Sequence, residues 1–91
     1  MEFIIIDGKR MTSIEETHRY LARTLRLPAY YGHNLDALHD CLTDLGRSVW
    51  IILINGDDMD AHLGDYAKSL RRVFTDASNA PYACHFIENP S

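Results

Sequence analysis

Three aspartates, Asp36, Asp40 and Asp44, recur every fourth residue in the segment from Tyr30 to Leu45, YYGHNLDALHDCLTDL, and no lysine or arginine accompanies them. Wound as a helix from an N-cap at Asn34, at about 100° per residue, Asp36, His39, Asp40 and Thr43 share a sector of roughly 100°, with Asp44 beside it. Leu38, Cys41, Leu42 and Leu45 fall on the opposite side, flanked by Leu35 and Ala37, as on a helix that buries one stripe against a core. The pairs Asp36/Asp40 and Asp40/Asp44 are like charges at i,i+4, each unfavourable by about 0.2–0.5 kcal/mol. Asp44, near the helix C-terminus, also opposes the macrodipole. A merely solvated face tolerates such costs in a domain stable by roughly 5–15 kcal/mol. Solvated faces usually mix signs, however, and an unmixed anionic face suits a cationic partner.

Three chemistries fit such a face. A carboxylate and an imidazole, Asp36 or Asp40 with His39, suffice for acid–base work. Yet the sequence supplies no nucleophile on that face and no phosphate-cradling glycine loop, so no catalytic residue is assigned. A divalent metal held by Asp36 and His39, with His33 nearby, is conceivable; H-E-x-x-H, C-x-x-C and calcium-loop spacings are all missing. The third is protein recognition. Tyr30 and Tyr31, on the turn entering the helix, supply the aromatic anchors that interfaces place beside desolvated charges. Simple packing of the turn is the competing role, more so for Tyr31 than for Tyr30. His18, His62 and His85 are scattered and read as ordinary core-edge or surface residues.

Charge is unevenly spread along the 91 residues, whose formal net charge is −4. From Asp36 to Asp65 seven acids face one base, Arg47, whereas from Lys9 to Arg26 five bases face two acids. The acidic middle excludes nucleic acid from that surface, because phosphate contacts need lysine and arginine, and favours a basic protein reached with electrostatic steering. With 46% apolar and 24% charged residues, the chain is expected to fold as one small domain. No apolar run approaches the ~20 residues of a membrane span, and Met1 is followed by an acid with no basic leader region. A cytoplasmic location is expected, with Cys41 and Cys84 as structural thiols in place of a disulfide.

The elements that must position the acidic helix follow from pattern. Phe3 to Ile6 is an apolar run ended by Asp7-Gly8, a buried strand and turn. Ser13-x-x-Glu16 is a capping-box signature, opening a helix with Ile14, Leu21, Ala22 and Leu25 on its apolar face and closed by Pro28 and the Tyr30-Tyr31-Gly32 turn. The acidic helix should run from Leu35 to about Leu45 and stop at Gly46. Val49 to Ile54, VWIILI, reads as a strand covered on both faces. One or two helical turns follow up to Leu63, and Asp65 caps a long helix with Tyr66, Leu70, Val73, Phe74 and Ala77 on one side. Pro81 ends the linker, and Tyr82 to Ile87 forms the third strand. The order βααβααβ predicts an α/β fold with a small three-stranded parallel sheet and right-handed helical crossovers, helices covering most of both faces.

The segment Leu27 to Asp44, LPAYYGHNLDALHDCLTD, resembles the barstar family of intracellular inhibitors of secreted bacterial ribonucleases, whose pattern runs close to LPxYYGxNLDALWDCLT. The likeness extends to the N-terminal strand and its Asp-Gly turn, the capped helix with its histidine, both cysteines, the Val73-Phe74 helix and the terminal strand. It implies a single barstar-like domain over residues 1–91 and a non-enzymatic inhibitor without cofactor or metal. The implied partner is a basic, guanyl-preferring, barnase-like ribonuclease bound 1:1, with a monomer when free and no nucleic-acid or membrane partner. By motif position, Asp40 matches the aspartate that enters the phosphate site, Asp36 a second aspartate that meets basic groups, and Tyr30 the tyrosine that packs on the catalytic histidine. Gly32, Asn34, Leu35 and Thr43 match further contacts, and Asp76 stands where the family has a glutamate that reaches a basic residue. Together with Tyr31, His39 and Asp44, these form the expected ribonuclease-binding set. His39 replaces a family tryptophan, and Leu45 stands where a second is common. A histidine at that position is expected to make binding tighten between about pH 6 and pH 8 as its charge is lost. The alternative is a barstar-like module whose acidic face takes another cationic protein or a divalent metal.

Overall fold

The computed structural model describes residues 2–45, 47–79 and 84–89. Among them the elements run β1 (Glu2–Asp7), a 3-10 turn (Gly8–Arg10), α1 (Ile14–Thr24), α2 (Leu35–Thr43), β2 (Val49–Ile54), α3 (Gly56–Leu63), α4 (Asp65–Asn79) and β3 (Cys84–Glu88). The order is the βααβααβ expected from sequence. Gly46, expected to stop the acidic helix, and Pro81, Tyr82 and Ala83, expected to end the linker and open the third strand, lie outside the described residues. Among the described residues no helix is long and apolar enough to cross a membrane.

Local chemistry sets the helix boundaries. The Ser13 hydroxyl accepts the Glu16 N–H at 3.0 Å and opens α1, satisfying one of the donors a helix N-terminus leaves free. The reciprocal half of the box is not made, because the Glu16 carboxylate turns to Arg19 at 2.6 Å. Asn34 opens α2 in the same way, its side-chain oxygen accepting the Ala37 N–H at 2.8 Å. That helix closes at Thr43 with Asp44 as C-cap, a turn-fraction short of the expected Leu45. The weakly periodic stretch before Leu63 is a full helix, α3, and Asp65 is the first residue of α4 in place of its cap.

The sheet has the order β1-β2-β3 with both pairs parallel. Each crossover therefore advances in the same direction, and right-handed crossovers that never reverse leave their helices on one face of the sheet. Burial agrees. Ile4, Ile6, Val49, Ile51, Leu53 and Cys84 point into one core with Leu21, Leu25, Leu38, Leu42, Leu70 and Phe74, whereas Phe3 and Ile5 on the opposite side are 65% and 57% exposed. The expectation that helices cover most of both faces is thus overturned. The described residues form two layers, and on its second face the all-apolar β2 is partly exposed and flanked by side chains of the neighbouring strands, Phe3 and His85 beside Trp50. Ile14, read as part of the apolar stripe of α1, is also exposed.

Two junctions lock the layers together. Gly8 packs so closely on the backbone after β2 that a β-carbon would overlap the carbonyl oxygen of Asn55. Asn55 adopts a left-handed conformation (φ 54°) and donates to Asp7 Oδ1 at 2.9 Å, joining the ends of β1 and β2. Arg71 of α4 donates to Glu88 of β3 at 2.7 Å and also binds Asp60 of α3, and these carboxylates hold its guanidinium firmly charged. With α4 fixed on the sheet, α2 is laid across it with Leu38 and Leu42 buried beneath.

Candidate functional site

The turn before α2 is built on a buried histidine. Beyond α1, Arg26 takes a left-handed conformation (φ 54°), and the Tyr31 N–H donates to the Pro28 carbonyl at 3.0 Å, closing the turn. The two adjacent tyrosines then diverge. Tyr30 is 79% exposed, while Tyr31 is buried with its hydroxyl on Nδ1 of His18. The other ring nitrogen of His18, Nε2, meets the Tyr66 hydroxyl at 2.6 Å. One imidazole thus ties α1, the turn and α4 together. A neutral ring offers one donor and one acceptor, and each hydroxyl takes either role. Burial, and then the nearby His33, push His18 below the ordinary histidine value, so the neutral form is favoured. Burial likewise raises Tyr66 and, with larger effect, Tyr31 above the ordinary phenol value, keeping both hydroxyls protonated.

His33 completes the turn, its ring 5.0 Å from that of Tyr31 and its backbone left-handed at φ 54°. The conformation that favours glycine therefore falls on His33 and not on Gly32, where a β-carbon would meet only ordinary contacts. Asn34 is shared between turn and helix, accepting from Ala37 and donating to the Gly32 carbonyl at 3.2 Å.

On α2, Asp36, Asp40 and Asp44 are exposed and His39 and Thr43 are half-buried beside them. Among the described residues none of the three aspartates makes an ion pair; the paired carboxylates belong to Glu2, Glu15, Glu16, Asp60, Asp65 and Glu88. Asp36 and Asp40 therefore face outward without a paired cation, while Asp44 shares a small concavity with Arg26 and Arg47. Thr43 donates its hydroxyl to the Asp40 carbonyl at 3.0 Å. Two concavities flank the face. An open groove of about 450 Å³ is lined by Asn34, Leu35, Asp36 and Tyr66, and a smaller one of about 110 Å³ by residues including Tyr30, Cys41, Asp44 and Arg47. Burial, reinforced by Asp40 and Asp44, raises the Cys41 thiol above its ordinary value and suppresses its thiolate. Cys84 is raised by burial alone, and both cysteines are free.

The structure thus brings Tyr30, Gly32, Asn34, Asp36, Asp40 and Asp44 to the surface on one continuous turn and helix, with Leu35, His39 and Thr43 partly covered. Asp76 is exposed on α4, the helix against which α2 packs. Tyr31 is turned inward and holds the turn. His33 packs on Tyr31, and among the described residues no three histidine, cysteine or acidic side chains gather as a metal site. His18, read from sequence as an ordinary core-edge residue, is the hidden support. The signal was its place on the apolar stripe of α1, four residues after Ile14 and three before Leu21, where a polar side chain must find buried partners.

Comparison with known proteins follows the same lines. Residues 1–85 match the family described as Barstar (barnase inhibitor). Over 78 residues the chain is 41% identical to a Bacillus subtilis (strain 168) protein named "Putative ribonuclease inhibitor YrdF", an alignment spanning 85% of this chain and 86% of that protein.

Proposed function

The chain belongs to the barstar family, and we propose that it inhibits a basic ribonuclease by plugging the active site with the acidic face of α2 and the turn that carries Tyr30. The observation that carries this reading is the pair Asp36 and Asp40, exposed and without an internal cation among the described residues, beside an outward tyrosine on a rigidly held turn. A ribonuclease active site gathers arginine, lysine and histidine to bind a phosphodiester. The Asp40 carboxylate replaces the scissile phosphate there, Asp36 meets flanking basic groups, and the Tyr30 ring covers the catalytic histidine.

Gly32, Asn34, Leu35, Thr43 and Asp44 line the rest of the contact, and Asp76 extends it onto α4. His39, smaller than the family tryptophan, contributes less area. Inhibition of this kind makes and breaks no covalent bond and needs no cofactor. The partner is a barnase-like, guanyl-preferring enzyme bound 1:1, and the inhibitor acts in the cytoplasm, where it protects the cell's own RNA.

Titration of a basic, guanyl-preferring bacterial ribonuclease with the wild-type chain, Asp40→Ala and Tyr30→Ala, following RNA cleavage, tests this directly. The wild type is expected to inhibit stoichiometrically. Removing Asp40 leaves the enzyme's cations desolvated and unpaired, a loss of about 3–5 kcal/mol or roughly two to four orders of magnitude in affinity. Tyr30→Ala is expected to weaken inhibition without loss of stability, because that side chain is already in solvent. A folded wild type that leaves cleavage untouched sinks the barnase-like target, and loss on changing Asp36 and His39 but not Tyr30 would point to a metal instead.

A further inference from the structure

The groove of about 450 Å³ beside the acidic face has walls of unlike chemistry. Asn34, Leu35 and Asp36 line it from the start of α2, and Tyr66 lines it from the first turn of α4. Tyr66 is held from behind. Its hydroxyl meets His18 Nε2 at 2.6 Å, and the two rings stand edge to face with centroids 6.0 Å apart. The polar end of the side chain is thus satisfied inside the protein, and the ring lends the groove aromatic surface. Half-buried Leu35 adds aliphatic surface. Asn34 is engaged by the turn, accepting from Ala37 and donating to Gly32. Asp36 is exposed and makes no ion pair among the described residues.

We propose that this groove is a subsite for an arginine side chain of the protein partner, and that Tyr66 is the residue that selects it. Three properties of the walls point to that occupant. The first is charge. Among the residues lining the groove the one charged group is the Asp36 carboxylate, so the occupant is a cation. An anion, which a helix N-terminus otherwise attracts, is repelled there.

The second is length. A compact metal ion would leave the Leu35 and Tyr66 walls uncovered, and among the described residues no three ligating side chains gather to hold one. A long side chain lays an apolar stem along both walls and carries its charge to Asp36.

The third is the ring. A planar, weakly hydrated guanidinium stacks on tyrosine and meets a carboxylate through paired N–H donors, whereas a lysine ammonium is compact and strongly hydrated. The bond to His18 fixes the ring before any partner arrives, so little ordering is left for binding. The inference rests on the ribonuclease reading only for the source of the arginine, which in that reading belongs to the enzyme.

Two experiments separate the subsite from the identity of the enzyme. In the first, amide NMR spectra of the isotope-labelled chain follow titration with N-acetyl-arginine amide, and in parallel with its lysine and citrulline analogues. Ionic strength is held constant so that screening does not change. The arginine analogue is expected to shift Leu35, Asp36 and Tyr66 saturably, with a millimolar dissociation constant as befits a single side chain. The lysine analogue should bind several-fold more weakly and neutral citrulline not at all. Asp36→Asn, at an exposed position, is expected to abolish the saturable shift. Tyr66→Phe and Tyr66→Leu both lose the bond to His18 and differ in whether a ring lines the groove. Phenylalanine should keep the affinity and leucine lower it by about two- to five-fold, the factor an exposed cation–π contact represents.

In the second, the same variants are titrated into a basic, guanyl-preferring ribonuclease. Tyr66→Leu is expected to weaken inhibition by about ten-fold relative to Tyr66→Phe, the contact now being desolvated. No saturable shift, equal shifts at Asp57 and Asp58 of α3, equal binding of the lysine analogue, or equal losses in the two Tyr66 variants overturns the proposal. Saturable arginine binding by a wild type that fails to inhibit supports the subsite and sinks the enzyme assignment alone. Inhibition indifferent to Tyr66→Leu overturns the claim that the enzyme supplies the arginine.

Discussion

At the residue scale, the turn that leads into the acidic face of α2 rests on one side chain that never reaches that face. His18 holds Tyr31 and Tyr66 from opposite nitrogens, and its proton affinity is depressed by burial and by His33. The sign of the pH effect follows. Below the ordinary histidine value, near pH 6.5, the unfolded chain binds a proton at this position that the folded chain resists, so stability rises with pH in that window. The stabilisation is complete above about pH 6.5 and is lost as pH falls through the lowered folded value. Protonation would also make both nitrogens donors, removing the acceptor that one tyrosine hydroxyl uses. Urea unfolding between about pH 7 and pH 5 should show the wild type losing stability and His18→Gln, though less stable at pH 7, losing clearly less. Parallel curves for the two proteins would show that His18 is not the titrating group.

At the element scale, α2 is nine residues long, too short to be stable by itself, so its presentation depends on its cap and on the buried Leu38 and Leu42. Asn34→Ala leaves the Ala37 N–H without its partner and is expected to cost about 1 kcal/mol. In a domain of this size that lowers the melting temperature by about 4–8 °C, with Asn34→Ser restoring most of it, both read by thermal denaturation. A melting temperature unchanged in Asn34→Ala would show that packing alone fixes the helix start. The caps at Ser13 and Asn34 were legible in the sequence because capping is local, decided within three residues. The acidic sector was legible for the same reason, helical spacing converting directly into a shared face. Coverage of the sheet was not. VWIILI looks the same whether helices cover its second face or leave it partly exposed, and only the direction in which successive crossovers advance decides between them. The His18 support was also hidden, since its partners lie 13 and 48 residues away and nothing in local spacing brings them together.

At the scale of the whole molecule, charge is segregated along the chain more than its net value of −4 suggests. Seven acids against one base between Asp36 and Asp65 give α2 and α3 a common sign, while the bases of α1 and of the turn after it are partly neutralised in place, Arg19 by Glu16 and Arg26 by Glu2. Such a field attracts a cationic partner before any contact forms, a behaviour the barstar family itself exemplifies. Long-range attraction acts on the rate of encounter and is screened by salt, whereas desolvated contacts act on the rate of escape. The two contributions are therefore separable by residue. Asp57 and Asp58 of α3 lie outside the proposed contact, so Asp57→Asn with Asp58→Asn should slow association with a basic ribonuclease severalfold at low salt and leave dissociation unchanged. Asp40→Ala should chiefly speed dissociation. Stopped-flow mixing at about 10 mM and about 300 mM salt resolves both, the wild-type association rate converging on that of the double variant as the salt rises. Faster dissociation of the double variant would put α3 inside the contact, and salt-independent association of the wild type would show that the acidic field does not steer the partner.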